Sequence, residues 1–173
     1  AVYLDTQESR GLIDRNNKAF VGAMRAAAMN GADLVITVGR KLDYQLGFGS
    51  PAVFPEAKFL RLADSIGELI DNRRGDVEVL ADVKTSLNAL SDVLNMNAGK
   101  RDSNWLDDLR EKHSKRIQKD GARVNDNVGP DGKIHPMAIF HAIAQVATDD
   151  YIAVADGGDL LSFARIGLEA DTY

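Results

Sequence analysis

The segment of residues 32–49, ADLVITVGRKLDYQLGFG, constrains the fold more than any other part of the sequence. After a small polar break it continues with an apolar, partly β-branched run at residues 34–38 and stops at Gly39. A continuous apolar run between turn residues is typical of a strand buried on both faces, as in parallel sheets. The segment therefore predicts a strand at or near the centre of an α/β sheet.

Strands and helices alternate along the first half of the chain. The patterns predict strands at 2–4, 34–38, 58–63 and 77–80, and helices at 18–30, 65–72 and 83–94. This alternation indicates βαβ units and a parallel sheet. Right-handed crossovers then place the four strand ends at one edge, where ligands of open α/β sheets bind. We expect the charged residues that follow these strands to converge there: Asp5, Arg40, Asp64 and Asp82.

Three residues after the second predicted strand are suited to a nucleotide. Gly39 lets a ligand approach the backbone, Arg40 offers a fork for phosphate, and Asp43 can accept a hydrogen bond from a ribose or an amide. This grouping is not a specific motif, because a glycine after a strand also occurs in a plain turn. Both interpretations stay open at this point.

The second half of the chain begins with a charged stretch. Residues 98–133 predict a linker helix that packs through Trp105 and Leu109. Its basic run at 112–119 is surrounded by acidic residues, which indicates a solvated face rather than a binding patch.

A second α/β unit follows. His135 is placed as the cap or pre-cap of a helix that begins at Pro136, and residues 151–155 predict a strand. Gly157 and Gly158 then precede an apolar helix. A strand, a glycine pair and a helix N-terminus form an arrangement that receives phosphate. The acids on either side of the glycines require a metal for that role.

Composition limits the class of partner. The net charge of −5 argues against a duplex nucleic-acid partner. The sequence contains no apolar run of about 18 residues, so no membrane span is predicted. The lack of cysteine fits a reducing compartment, so we expect a cytoplasmic protein. Neither a metal site nor a catalytic residue is predicted. We interpret Asp71, Asp76 and the pair 149–150 as solvated loop acids.

The order of these segments resembles the thiamine-diphosphate-dependent enzymes, a family that includes acetolactate synthase, pyruvate oxidase, benzoylformate decarboxylase, oxalyl-CoA decarboxylase and 2-hydroxyacyl-CoA lyase. The resemblance rests on residues 32–49 and on ADSIGELIDNRR at 63–74, followed by Asp82-Val83. It continues with Ile134-His135-Pro136 and with the strand and glycine pair that end at Asp159.

The resemblance implies a domain organisation. Residues 1–97 correspond to a Rossmann-like central domain with its first strand missing, 98–133 to a linker, and 134–173 to the start of the cofactor domain. The catalytic glutamate and the magnesium-binding stretch of the family have no counterpart here, so we expect no catalysis by this chain alone. The family implies a homo-oligomer and a small 2-keto acid or acyl-CoA substrate.

The resemblance also implies two groups of cofactor-binding residues. The residues that match contacts to FAD or an ADP-containing nucleotide are Gly39, Arg40, Asp43, Asp64, Ser65, Ile66, Asp82 and Val83. Those that match contacts to thiamine diphosphate, bound with magnesium, are Gly157, Gly158, Asp159 and Leu160. Asp159 departs from the neutral residues common at its position.

Four hypotheses for function follow. The leading one is part of an acetolactate synthase-like enzyme that decarboxylates and ligates 2-keto acids. A parent of the 2-hydroxyacyl-CoA lyase or oxalyl-CoA decarboxylase type is the second. A stand-alone nucleotide- or flavin-binding module and a purely structural interface domain are the third and fourth.

Overall fold

The structure, a computed structural model, describes residues 1–6, 9–97, 104–124, 128–148 and 151–168. The chain divides into two compact units. The first, here called the sheet unit, contains residues 25–103, and the second, the helical unit, contains residues 1–24 and 104–173. The elements are α1 (Arg25–Asn30), β1 (Leu34–Val38), β2 (Lys58–Ala63), β3 (Val77–Leu80), α2 (Val83–Met96), α3 (Asn104–Val124), α4 (Pro136–Val146) and α5 (Asp159–Gly167).

The sheet unit contains the predicted parallel sheet. Its three strands lie in the order β1-β2-β3, and both pairs are parallel. The bounds of all three strands were predicted from the sequence. β1 was predicted at or near the centre of the sheet, and it lies beside the central strand β2, which has a neighbour on each side among the described residues. As an edge strand, β1 is only partly covered, and Leu34 remains 51% exposed.

The two faces of the sheet differ in cover. Phe59 of β2 is buried in a core with Leu42, Leu46, Phe54 and Ala57. These last four residues come from the chain between β1 and β2, so this connection folds over one face of the sheet. On the other face, Leu34 and Ile36 of β1 and Val77 of β3 are exposed.

The helices of the sheet unit follow the predictions in part. For α2, Asp82 is the N-cap as predicted, and its carboxylate accepts a hydrogen bond from the Thr85 amide at 2.7 Å. None of the residues of α2 is buried, so the predicted apolar stripe is only partly covered, at Val83 and Leu90. The predicted helix at 65–72 is only a 3-10 turn, Ile66–Glu68.

Two predicted elements near the start of the chain are shorter than expected. The helix predicted at 18–30 is a 3-10 turn, Gly22–Met24, followed by α1. The reason is that the Asn17 side chain accepts a hydrogen bond from the Ala19 amide and holds the chain in a turn. The strand predicted at 2–4 is a single bridge between Tyr3 and Phe20. Asp5 therefore does not follow a strand of the sheet, and the prediction of a strand before it was wrong.

In the helical unit, α3 has the solvated face that its sequence predicts. Its charged side chains form i,i+4 ion pairs, such as Lys112 with Asp108 at 2.7 Å and Lys115 with Glu111 at 2.5 Å. The opposite side contributes buried Leu109. It also contributes His113, whose Nδ1 accepts a hydrogen bond from the Ala23 amide at 3.2 Å. Burial lowers the pKa of His113 below its ordinary value.

The C-terminal part of the helical unit is built on α4 and α5. The N-cap of α4 is His135, as predicted, and its Nδ1 accepts from the Met137 amide at 3.2 Å. Phe140, Ala153, Ala164 and Leu168 form the core of this part. The strand predicted at 151–155 is reduced to one bridge residue at 152, because a regular ladder requires a continuous partner strand. Among the described residues, no helix combines the length and apolar character that crossing a bilayer requires.

Candidate functional site

The carboxyl ends of the three strands meet at one edge of the sheet. The Gly39 amide donates to the Leu62 carbonyl at 2.8 Å, and the Ala81 amide donates to the Ala63 carbonyl at 2.9 Å. These bonds continue the ladder past each strand end. The strand-end edge, as it is called below, consists of the residues that follow these ends: Gly39, Arg40, Asp64, Ser65, Ile66, Asp82 and Val83. The structure thus brings together the predicted nucleotide-binding residues, with Asp43 in the loop that continues from Arg40.

Gly39 gives this edge its open backbone. Its φ of 55° lies in the left-handed region that favours glycine, and a Cβ added here would meet no atom within 4 Å. Asp64 and Ser65 are also exposed, and Ile66 is 54% exposed. The backbone of Gly39 is therefore free of covering side chains among the described residues.

Asp82 and Val83 contribute a helix start to the same edge. Asp82 accepts hydrogen bonds from both the amide and the hydroxyl of Thr85 at 2.7 Å. These bonds lower the pKa of Asp82 below its ordinary value. The carboxylate is exposed, so it serves as the cap of α2 and is still accessible at the edge.

A buried charge cluster lies next to the strand-end edge, and it was not predicted from the sequence. Arg61 of β2 is fully buried and forms two hydrogen bonds to Asp71, Nη1 to Oδ1 at 2.8 Å and Nη2 to Oδ2 at 2.6 Å. The same guanidinium donates to the carbonyls of Glu68, Leu69 and Arg73 at 2.6 to 3.0 Å. These carbonyls are therefore used by Arg61, and the predicted helix at 65–72 does not form.

Asp71 connects this cluster to the loop after β1. Its Oδ2 accepts from the Leu42 amide at 2.7 Å. Burial by itself raises the pKa of Asp71, but the hydrogen bonds from Arg61 and from the amides of Leu42 and Arg73 outweigh it, so the pKa is lowered overall. Asp76 is engaged as well, since it accepts from the Phe59 amide at 2.8 Å. The interpretation of Asp71 as a solvated loop acid was wrong, since its side chain is only 8% exposed. Asp76 is an exposed loop acid, as predicted, and residues 149–150 lie outside the described chain.

Arg73 fixes the far end of the same loop. Its Nη1 donates to the Gly49 carbonyl at 2.6 Å, its Nη2 donates to the Ala57 carbonyl at 3.2 Å, and its guanidinium lies 4.2 Å from the centroid of the Phe59 ring. Asn72 donates to the Leu42 carbonyl at 3.4 Å. The Asn-Arg pair on which the resemblance rests thus has a structural role in this chain.

The predicted thiamine diphosphate residues lie in the helical unit. Gly158, with φ of 82°, precedes α5 without a side-chain cap, and the Gly157 amide donates to the Asp156 carboxylate at 2.7 Å. A Cβ at either glycine would meet no atom within 4 Å. The open N-terminus and its amides fit a diphosphate in shape. The carboxylates of Asp156 and Asp159 repel it, so the loop fits the group only together with a cation.

The described residues do not form a metal site of their own. Nowhere among them do His, Asp or Glu side chains make a group of three that could hold an ion.

Two groups of residues at the site were not predicted from the sequence. Gln45 and Tyr44 belong to the polar chain that extends from Arg40, with Gln45 Nε2 3.3 Å from the Tyr44 hydroxyl, and no motif identified them. Arg61 carried a detectable signal, since it is a charged residue between Leu60 and Leu62 inside an apolar strand. Its partner Asp71 lies in an irregular loop and had no such signal.

The fold and the strand-end edge define an α/β protein with a three-stranded parallel sheet and flanking helices. The model of the family described as "Thiamine pyrophosphate enzyme, central domain" matches residues 1–90. The chain belongs to this family.

Named relatives agree with this assignment. The 2-hydroxyacyl-CoA lyase 2 of Caenorhabditis elegans is 29% identical over 160 residues, which cover 90% of this chain and 25% of that protein. A probable acetolactate synthase of Mycobacterium bovis is 27% identical, over 95% of this chain and 28% of its own length. Oxalyl-CoA decarboxylase of Escherichia coli is 23% identical, over 94% of this chain and 29% of its own length. The chain spans less than a third of each of these relatives.

Proposed function

We propose that this chain supplies the central scaffold of a thiamine-diphosphate-dependent enzyme of the acetolactate synthase type. The enzyme breaks the bond beside the carbonyl of a 2-keto acid and joins the retained fragment to an acceptor. Thiamine diphosphate, when bound, supplies the electron sink for this chemistry. Family membership and the 27% identity to a probable acetolactate synthase over 95% of the chain support the proposal.

Within that enzyme, the strand-end edge binds FAD or an ADP-containing nucleotide. The observation that carries this step is the convergence of three parallel strand ends beside the open backbone of Gly39. Parallel α/β sheets bind their ligands at this position. Asp64, Ser65 and Asp82 add exposed polar groups along the same edge.

The loop 156–160 contributes one wall of the thiamine diphosphate site. Gly157 and Gly158 leave room for the diphosphate, and the amides at the start of α5 donate to it. Asp156 and Asp159 require that a magnesium ion accompany the group. The remaining contacts come from elsewhere in the enzyme. In this proposal, residues 1–97 form the central domain, 98–133 the linker and 134–173 the start of the cofactor domain.

A thermal-shift titration tests the nucleotide step. FAD, ADP or CoA at a hundred times its dissociation constant would stabilise the chain by about 2.7 kcal/mol and raise its melting temperature. The variant Gly39→Val places a branched side chain in the open space and should abolish that shift. Gly132→Val is the matched control, because Gly132 also has a positive φ and no atom within 4 Å of an added Cβ, but it lies in the other unit. The absence of any shift in the unmodified chain would favour a purely structural domain.

The chain is not catalytic by itself in this proposal. Incubation of the pure chain with thiamine diphosphate, magnesium and pyruvate should give no decarboxylation. Turnover at a rate above that of the cofactor alone would contradict the proposal.

A second candidate function is that of the acyl-CoA enzymes. It is favoured by the 29% identity to a 2-hydroxyacyl-CoA lyase over 90% of the chain. CoA contains an ADP moiety, so the same edge would bind it. A melting-temperature shift with CoA and ADP but not with FAD would select this candidate over the acetolactate synthase type.

Assembly into a cytoplasmic homo-oligomer completes the proposal. It is supported by the exposed apolar residues of the sheet, with Leu34 51% and Val77 56% exposed, because large apolar patches mark interaction sites. Light scattering over a concentration series should show self-association. A molecular mass equal to that of one chain at every concentration would contradict this part.

A further inference from the structure

The Arg40 side chain at the strand-end edge is held by its own loop. Its Nη2 lies 2.9 Å from both carboxylate oxygens of Asp43 and 3.3 Å from Oε1 of Gln45. The side chains of Arg40 and Asp43 are only 13% and 27% exposed. A partly buried ion pair of this kind is screened less by solvent than a surface pair. Arg40 is therefore a neutralised cation.

Asp43 is fixed in place independently of Arg40. Its Oδ1 also accepts from the Gln45 amide at 2.9 Å as the cap of the 3-10 turn Tyr44–Gly49, and its carbonyl accepts from the Phe48 amide at 2.8 Å. Phe48 has a φ of 54°, which a non-glycine residue adopts only where the surrounding structure imposes it. The loop thus holds the carboxylate against the guanidinium.

The guanidinium is also drawn inward. Its Nε is buried and has no hydrogen-bond acceptor among the described residues. An arginine that binds phosphate presents a fork of donors to the ligand, and two parallel bonds give this contact its strength. Here one arm of the fork is used by Asp43 and Gln45, and a phosphate at the other would lie beside a carboxylate.

We propose that Asp43 is a specificity-determining residue that excludes phosphate from the end of β1. By neutralising Arg40, it reserves this part of the edge for an uncharged group of the ligand, such as a ribose or an amide. Phosphates of the same ligand then lie elsewhere along the edge. The identity of the ligand rests on the proposed function, whereas the exclusion of anions by Asp43 does not.

The test is the variant Asp43→Asn, probed with inorganic pyrophosphate. Asparagine is as good an N-cap as aspartate, and its oxygen can still accept from the Gln45 amide, so the substitution removes the charge and keeps the turn. Isothermal calorimetry at low salt should show pyrophosphate binding at least ten-fold tighter than in the unmodified chain. The gain should shrink as salt is added, since it comes from a charge.

Two further variants make the result specific. Asp108→Asn removes one charge from an exposed ion pair of α3 and should leave pyrophosphate binding unchanged. The double variant Asp43→Asn/Arg40→Gln should lose the gain, because the freed guanidinium is the group that binds. If circular dichroism shows that Asp43→Asn is unfolded, the variant Asp43→Ser is used instead, because serine retains a capping oxygen.

The outcomes separate this inference from the proposed function. Equal pyrophosphate affinity in a folded Asp43→Asn variant and the unmodified chain would overturn the inference, as would an equal gain in Asp108→Asn. Neither result depends on nucleotide binding. A failure of FAD, ADP and CoA to raise the melting temperature overturns the nucleotide proposal and leaves the pyrophosphate comparison intact.

Discussion

Two glycine-bearing loops of this chain follow predicted strands, and they differ in how they are held. The loop 39–50 of the sheet unit is fastened by Asp71 at Leu42, by Arg73 at Gly49 and by the cap at Asp43. The loop 156–160 of the helical unit shows one bond of this kind, from the Gly157 amide to Asp156, and α5 has no side-chain cap.

The difference indicates which of the two proposed sites is held in place by the chain itself. Buried charges and backbone bonds fix the first loop without a ligand, so the proposed binding there would cost little ordering. The second loop exposes amides and acids that have few partners among the described residues. We infer that it takes its binding geometry only with a cofactor and a cation.

The largest effect is expected from breaking the cluster under the first loop. Arg61→Met removes one partner of a buried ion pair and leaves Asp71 uncompensated, which should cost about 3–5 kcal/mol in the free energy of unfolding. Arg74→Met is the control, since Arg74 is 72% exposed in its pair with Glu78 and should change the denaturation midpoint little. Chemical denaturation followed by circular dichroism measures both. Equal midpoints for the two variants would refute the role of the cluster.

A smaller effect is expected from glycine substitutions in the two loops. Gly49 has a φ of 67°, and a Cβ there would lie 2.9 Å from Leu42 Cδ1 and 3.1 Å from Arg73 Cδ. Gly49→Ala should therefore destabilise the chain by about 1–3 kcal/mol through strain and overpacking. At Gly157 the same change meets open space and should stay within about 0.5 kcal/mol. Melting temperatures of the two variants make the comparison, and a larger loss of stability at Gly157 would show that the first loop is not the more tightly packed one.

The smallest effects are expected from pH, and they separate the two units. The pKa of His113, in the helical unit, is lowered from 6.5. The contribution of His113 to the free energy of unfolding is therefore complete above pH 6.5. It is lost as the pH falls, because the unfolded chain takes up the proton first. The pKa of Asp71, in the sheet unit, is lowered from 3.8, so the contribution of Asp71 to the free energy of unfolding persists until the pH falls below 3.8.

Unfolding curves from pH 8 to pH 3 for the unmodified chain and His113→Gln test this order. The variant should lack the loss of stability that begins near pH 6.5. An identical pH profile for the two proteins would show that His113 does not carry it.

The sequence predicted those features that local patterns determine. The bounds of β1, β2 and β3 follow from apolar runs between turn residues, and the caps Asp82 and His135 follow from residue type and position. The convergence of the strand ends also followed, because parallel strands joined by right-handed crossovers allow few arrangements.

Features that depend on distant partners were missed. Arg61 and Asp71 are ten residues apart and meet through an irregular loop, so no periodicity connects them. The strands predicted at 2–4 and 151–155 have suitable residues, but a strand forms only where a neighbour offers a continuous ladder. The edge position of β1 likewise depends on which strands pair, which its own residues do not encode.

Amide hydrogen exchange of the unmodified chain, without ligand, tests the contrast between the two loops most directly. We expect slow exchange at Leu42 and Phe48, whose amides donate to the Asp71 carboxylate and the Asp43 carbonyl, at rates close to those of the β2 ladder. We expect fast exchange at residues 158–160, where the first amides of α5 have no side-chain cap. Equal protection of the two loops, or slower exchange at 158–160, would contradict this contrast.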